Sequence, residues 1–227
     1  MKRHRGTWVV VLALLLVGDL ACSDDDGLDK GMPRPRDPGA PPTSGGGGGS
    51  TCGTAGCVCG ATAQSCDFLC GGAPNCEITC LPGQECKSRC LDGCKTGCVG
   101  AKSCETTCGN DCQLACQGSE ECKVDCKDNC QVGCAMAGSC TANCGANCIV
   151  ACGLNGPCKA TVGPDSTVGC AASTSCDIEC TGRCLVTCAL APCKVTCNTP
   201  DGCGFVCESG GMTCPDGKTR VCNGATC

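Results

Sequence analysis

Eighteen residues separate each of Cys86, Cys104, Cys122, Cys140, Cys158 and Cys176 from the next. Inside this period the spacing is C-x3-C-x3-C-x3-C-x5, as in Cys104, Cys108, Cys112, Cys116 and then Cys122. A fixed internal period marks a chain built from copies of one small unit. The pattern organises 37 cysteines in 227 residues, the composition of a disulfide scaffold. Aromatic residues cannot supply an alternative core. Trp8 stands near the N-terminus, tyrosine is absent, and only Phe68 and Phe205 follow. Sulfur bridges must therefore replace burial. Such bridges persist in oxidising compartments.

The N-terminus carries the export information. Lys2, Arg3, His4 and Arg5 precede an apolar run of 11 residues from Trp8 to Gly18. That run is too short to cross ~30 Å of hydrocarbon as a helix. It suits the apolar core of a signal peptide, assigned here to residues 1–21. The triplet Leu20-Ala21-Cys22 resembles the lipobox of bacterial lipoproteins, with Asp19 standing where that family favours leucine. The resemblance implies cleavage before Cys22 by signal peptidase II and a lipid on its thiol, so that membrane lipid is a partner. Ser23 implies, by the same resemblance, the outer membrane of a Gram-negative bacterium. An ordinary secretory signal and a secreted protein is the alternative. Setting Cys22 aside leaves 36 cysteines, an even number.

Residues 22–51 hold the lipidated cysteine, the acidic triplet Asp24 to Asp26, five prolines and the run Gly45 to Gly49. Nothing in this stretch can repay the entropy of ordering, so it reads as a disordered tether. Residues 52–227 are the cysteine-rich repeat domain.

Within each unit the residue midway between two cysteines is often apolar or small, as in Cys122-Lys123-Val124-Asp125-Cys126 and Cys184-Leu185-Val186-Thr187-Cys188. A period of two puts cysteine, centre and cysteine on one face of a short strand. The flanking Lys, Glu, Asp and Thr then face water. Short connections such as Gly109-Asn110-Asp111 alternate with longer ones such as Gln117 to Glu121, and both use turn residues. Eighteen residues is also five helical turns, but Gly, Asn, Thr and β-branched residues occupy the positions where a helix wants Ala, Leu and Glu. The expected fold is all-β: a narrow β-solenoid of about nine coils, ~45 Å long at ~4.8 Å per coil, with tandem disulfide-stapled hairpins as the alternative. The architecture resembles the disulfide-closed insect antifreeze solenoids.

One degenerate unit guides the expected pairing. After Cys158 the second and third cysteine positions are Val162 and Ser166, while Cys170 survives as the fourth. Loss of the inner two together suggests nested bonds, first with fourth and second with third. The expected pairs are Cys86–Cys98 with Cys90–Cys94, Cys104–Cys116 with Cys108–Cys112, and Cys122–Cys134 with Cys126–Cys130. They continue as Cys140–Cys152 with Cys144–Cys148, Cys158–Cys170 alone, and Cys176–Cys188 with Cys180–Cys184. The flanking units follow as Cys66–Cys80 with Cys70–Cys76, and Cys193–Cys207 with Cys197–Cys203. Cys52, Cys57 and Cys59 at one end, and Cys214, Cys222 and Cys227 at the other, are left over in threes.

The only histidine, His4, lies in the leader. The mature chain thus has no imidazole for a general base or a metal site. No catalytic residue and no cofactor is expected, and Glu120 and Glu121 read as solvated charge on a turn. Removing the leader leaves 14 basic against 21 acidic residues and no basic stripe, which argues against nucleic acid as a partner. No metal site is assigned. Dense cysteine resembles metallothionein composition, which makes metal sequestration the alternative function, yet only Cys57-Val58-Cys59 has the C-x-C spacing of those proteins. Thr79, Thr107, Thr187 and Thr196 form no regular rank of the kind ice binding needs. Asp92, Asn110 and Asp128 would stack as a polar column, read as a hydrogen-bonded ladder in preference to a calcium site. The expected function is an exported, lipid-anchored cell-envelope protein with a structural or recognition module, displaying one long face to an unknown macromolecular ligand. It resembles the uncharacterised cysteine-rich lipoproteins of Gram-negative bacteria, a resemblance that implies no activity.

Overall fold

The computed structural model describes residues 50–51, 57–59, 63–70, 76–154, 156–199 and 202–227. The leader, Cys22, Cys52 and all of the expected tether except Ser50–Thr51 lie outside the described residues.

Two sheets run the length of the body. The first contains β1 (Ser50–Thr51), β3 (Ser65–Leu69), β5 (Glu85–Arg89), β7 (Ser103–Thr107), β9 (Glu121–Asp125), β11 (Ser139–Cys144), β13 (Pro157–Val162), β15 (Ser175–Cys180), β17 (Cys193–Cys197), β20 (Thr219–Cys222) and β19 (Gly211–Thr213). The second contains β2 (Cys57–Val58), β4 (Glu77–Cys80), β6 (Lys95–Val99), β8 (Gln113–Gln117), β10 (Gln131–Ala135), β12 (Ile149–Gly153), β14 (Ser166–Ala171), β16 (Cys184–Ala189) and β18 (Gly204–Cys207). Successive strands alternate between the sheets, and neighbours within a sheet are parallel from β1 to β18. That is a β-solenoid with one strand of each sheet per coil. The register advances by one unit: Cys104 pairs with Cys86 and Cys122, and Cys116 with Cys98 and Cys134. Because neighbouring units share backbone hydrogen bonds, the tandem-hairpin alternative falls. β3 to β18 make eight full coils, one fewer than expected, since the chain beyond β18 turns back as the antiparallel pair β19–β20 against β17.

Alternation decides the core. In β9 Cys122 and Val124 are buried while Glu121 and Lys123 are exposed, and in β16 Cys184, Val186 and Cys188 are buried while Leu185 is exposed. Cysteine, one central side chain and cysteine therefore fill each half coil. Ile78, Leu114, Val124, Val132, Val150, Val168, Ile178, Val186 and Val195 supply nine of the sixteen central positions from β3 to β18. Three consecutive half coils differ: their centres are Ser88, Thr96 and Thr106. Ser88 Oγ donates to Thr106 Oγ1 at 2.8 Å, whereas the Thr96 hydroxyl is buried with no hydrogen-bonded nitrogen or oxygen partner.

The outer face of the first sheet fixes the stacking register by charge. Glu105 lies between Lys87 and Lys123 on adjacent strands and contacts both, at 3.5 and 3.3 Å. Lys102 reaches Glu85 at 2.6 Å. These lysines hold both carboxyls below their usual range, so their small surface contribution is present at neutral pH and lost as pH falls through the lowered values.

The short turns carry the expected polar column. Asp92 Oδ1 accepts from Asn110 N at 2.7 Å, Asn110 Oδ1 from Asp128 N at 3.2 Å, and Asp128 Oδ1 from Ala146 N at 2.7 Å. The column is a ladder of side chain to backbone bonds. Its approach is close enough that a Cβ at Gly109 would collide with the Asp92 carboxylate, and one at Gly145 with that of Asp128.

The long turns hold a second periodic feature. Gly100, Gly118, Met136, Leu154, Ala172 and Leu190 recur at the eighteen-residue period, all with φ between 54° and 66°. Glycine takes this conformation freely, while other residues lose ~1–2 kcal/mol each there.

Two measurements check this packing. Ile178→Ala, at a fully buried centre, is expected to lower unfolding free energy by ~2–5 kcal/mol, whereas Ile149→Ala, on the outer face of β12, changes it by about 0.5 kcal/mol or less in dilute solution. Equal losses in chemical denaturation would mean that the two faces had been exchanged.

Candidate functional site

Both long edges of the solenoid are lined with sulfur. At the long-turn edge the last cysteine of one coil is bonded to the first of the next: Cys80–Cys86, Cys98–Cys104, Cys116–Cys122, Cys134–Cys140, Cys152–Cys158, Cys170–Cys176 and Cys188–Cys193. This corrects the expected first-to-fourth bonds: Cys86–Cys98, Cys104–Cys116, Cys122–Cys134, Cys140–Cys152, Cys158–Cys170 and Cys176–Cys188, with Cys66–Cys80 and Cys193–Cys207 beyond them. The reason is the rise of the coil. Each half coil climbs half a strand spacing, so an outer cysteine has one potential partner above it and another below. Cys122 and Cys134, not bonded to each other, bring their sulfurs to 3.9 Å while Cys134 is bridged to Cys140. The ends choose between the two frames. Cys59 bonds Cys66 at one end, and Cys207 bonds Cys222 at the other, with Cys214–Cys227 closing the terminal hairpin. Cys57 is also in a disulfide. Cys57, Cys59, Cys214, Cys222 and Cys227 thus all have partners in the frame whose outer bonds cross the long turn, and Cys52 lies outside the described residues.

At the short-turn edge the second and third cysteines of a unit meet. Cys70–Cys76, Cys144–Cys148, Cys180–Cys184 and Cys197–Cys203 are bonded there. Val162 and Ser166 occupy one such rung, so their joint substitution removes a bond without stranding a thiol. Ser166 Oγ takes over locally, accepting from Cys148 N at 3.0 Å. The bonded cysteines have Cα separations of 5.7 to 6.5 Å, inside the limit for a disulfide and far below the ~10 Å of ordinary stacked sheets.

Three consecutive rungs of the short-turn edge are open. Cys90, Cys94, Cys108, Cys112, Cys126 and Cys130 carry free thiols, five of them buried, where the spacing suggested Cys90–Cys94, Cys108–Cys112 and Cys126–Cys130. Turn carbonyls take up thiol hydrogens here: Cys112 lies 3.4 Å from Asn110 O and 3.5 Å from Leu91 O, and Cys130 lies 3.5 Å from Gly109 O. The sulfurs of Cys108, Cys112 and Cys126 fall within 4.8 Å of one another. Hydrogen bonding and burial split their acidities. A hydrogen bond involving Cys108 leads in pulling the Cys90 thiol down to about 7, against desolvation, while burial and Cys90 push Cys94 up. Cys108 is raised chiefly through its bond to Cys112, and Cys112 is lowered by the same contact. The polar centres Ser88, Thr96 and Thr106 belong to the same stretch, and the Thr96 hydroxyl leans on the Cys90 thiol. Sequence reasoning missed this polar segment. Its signal was available as hydroxyl residues at central positions that are aliphatic elsewhere.

Chemically the open rungs offer soft, buried sulfur donors and two-electron closure to disulfides. No protein-family model matches the chain, and neither a curated protein nor a solved structure matches it.

A non-reduced peptide map tests the pairing frame. Cys116–Cys122 and Cys134–Cys140 are the expected linked peptides, and recovery of Cys104–Cys116 or Cys122–Cys134 would contradict the frame described. Native alkylation with gentle unfolding should label Cys90, Cys94, Cys108, Cys112, Cys126 and Cys130 and spare the bonded set.

Proposed function

We propose that the chain is an exported cell-envelope protein, held to membrane lipid through Cys22, whose repeat domain serves as a protease-resistant structural or recognition rod. The observation that carries this reading is the density of disulfides in a body with one central side chain per half coil. Such a body needs an oxidising compartment to form. Each six-residue closure adds ~2 kcal/mol by restricting the unfolded chain. The leader and the Leu20-Ala21-Cys22 triplet support export and acylation, with the outer membrane as the destination and secretion as the alternative. The lengthwise faces of the rod suit binding along an extended macromolecular ligand. The first sheet alternates charge sign along its columns, which does not favour nucleic acid, and no enzymatic role is assigned.

Metabolic labelling with palmitate tests the anchor. Label in the wild type, lost in Cys22→Ala, is the expected result. An unlabelled, soluble wild-type protein would favour the secreted form.

The three open rungs favour a second reading, in which Cys108, Cys112 and Cys126 hold a soft monovalent cation. Cu(I) is among the metals that soft sulfur donors favour, and the three sulfurs lie within 4.8 Å of one another. Anaerobic Cu(I) titration against a chromophoric competitor should give a site lost in the double variant Cys108→Ser with Cys112→Ser. Binding that is unchanged in that variant would remove this reading.

A further inference from the structure

The two outer faces of the solenoid differ in kind. The first sheet displays Glu85, Lys87, Glu105, Lys123, Lys159 and Asp177 along its length. Across the second sheet, from β8 to β18, no outward position carries a charge. The middle column of that face runs Ala115, Gly133, Ala151, Gly169 in register. The column beside it, toward the long turns, runs Ala135, Gly153, Ala171, Ala189. Together they form a floor of small residues two columns wide over β10, β12 and β14, bordered by Gln117 on β8 and by Thr187 and Val206 on β16 and β18. A ridge bounds it on the short-turn side, where Ile149 and Leu185 stand 45% and 44% exposed. The long-turn edge bounds the other side.

That edge holds the second observation. Met136, Leu154 and Leu190 are 53%, 70% and 75% exposed and sit in the left-handed conformation, at positions where Gly100 and Gly118 serve in other coils. Strained, bulky, solvent-facing apolar residues have no role in the stability of a lone rod, and such outliers cluster at functional surfaces. Of the eleven exposed large hydrophobic residues among the described residues, eight lie on this sheet or its long-turn edge. Contiguous apolar surface of this kind marks an interaction site.

We propose that this uncharged face pairs with the same face of a second copy of the chain, the Ile149–Leu185 ridge of each copy resting on the glycine–alanine floor of the other. Charge selects this occupant. Two copies of a chain of net charge −5 meet with no like-charge contact through a surface that carries no charge. A ridge beside a floor is self-complementary under a two-fold axis, as an isologous contact requires. Six strands at ~4.8 Å with their turns give about 600 Å² per copy, or ~1,200 Å² for the pair, at the lower bound of specific interfaces. The association is therefore weak and concentration-dependent.

Sedimentation velocity on the full oxidised chain carrying Cys22→Ala, which keeps the acyl chain off, reads this directly and independently of membrane anchoring. The expected result is a monomer–dimer equilibrium over the micromolar to millimolar range. A Cβ at Gly169 meets nothing within 4 Å, so Gly169→Glu plants a charge on the floor without disturbing the coil. It should weaken the dimer ~10-fold or more, with an unchanged disulfide map and circular dichroism. Leu154→Gly should weaken it as well, while Lys159→Glu on the charged face should leave it intact. A chain monomeric throughout that range, or a dimer insensitive to Gly169→Glu, would overturn the proposal.

Discussion

Sulfur bridging along the long-turn edge, joined at four short turns by a second bridge, sets the thickness of everything between the sheets. A disulfide holds its Cα atoms near 6 Å, so two sheets joined this way cannot separate far enough to admit large side chains. The centres are accordingly Val, Ile, Leu, Ala, Thr or Ser, and Phe68 and Phe205 occur only near the ends of the rod. A chain almost without aromatics is the composition such a thin body demands. The in-register pairing of successive coils stacks outward residues in columns with the regularity of the repeat.

Much of this architecture was legible in the sequence. The eighteen-residue spacing named the coil, and the alternation in segments such as Cys122 to Cys126 named the buried face. The ladder through Asp92, Asn110 and Asp128 was legible because turn residues at a constant offset must stack. The outer bonding frame was not. Sequence order is one-dimensional, and the rise of a solenoid places Cys122 beside both Cys116 and Cys134. Only the ends break that tie, through Cys59 and Cys222. The odd thiols that nesting would leave at each end were the trace of this in the sequence.

The candidate site was legible to a smaller degree. The six cysteines of the open rungs carry the same spacing as Cys144 and Cys148, so spacing alone assigns them the same bond. What distinguishes their segment is the hydroxyl side chains of Ser88, Thr96 and Thr106 between the sulfur columns. The difference between the two faces is likewise written in the chain, since the first strand of a unit carries Glu105 or Lys123 where the second carries Ala115 or Gly133. It becomes visible once the strands are sorted into sheets.

The bond frame across the long turn has a further consequence for how such a rod can change. Excising residues 122–139 would bring Cys116 up to Cys140 with the hydrogen-bonding ladder, the turn column and the parity of thiols all restored. Duplicating them would do the same. Rod length is thus quantised in units of one coil: a gain or loss of eighteen residues keeps every bond and ladder in frame, whereas any other length change breaks both.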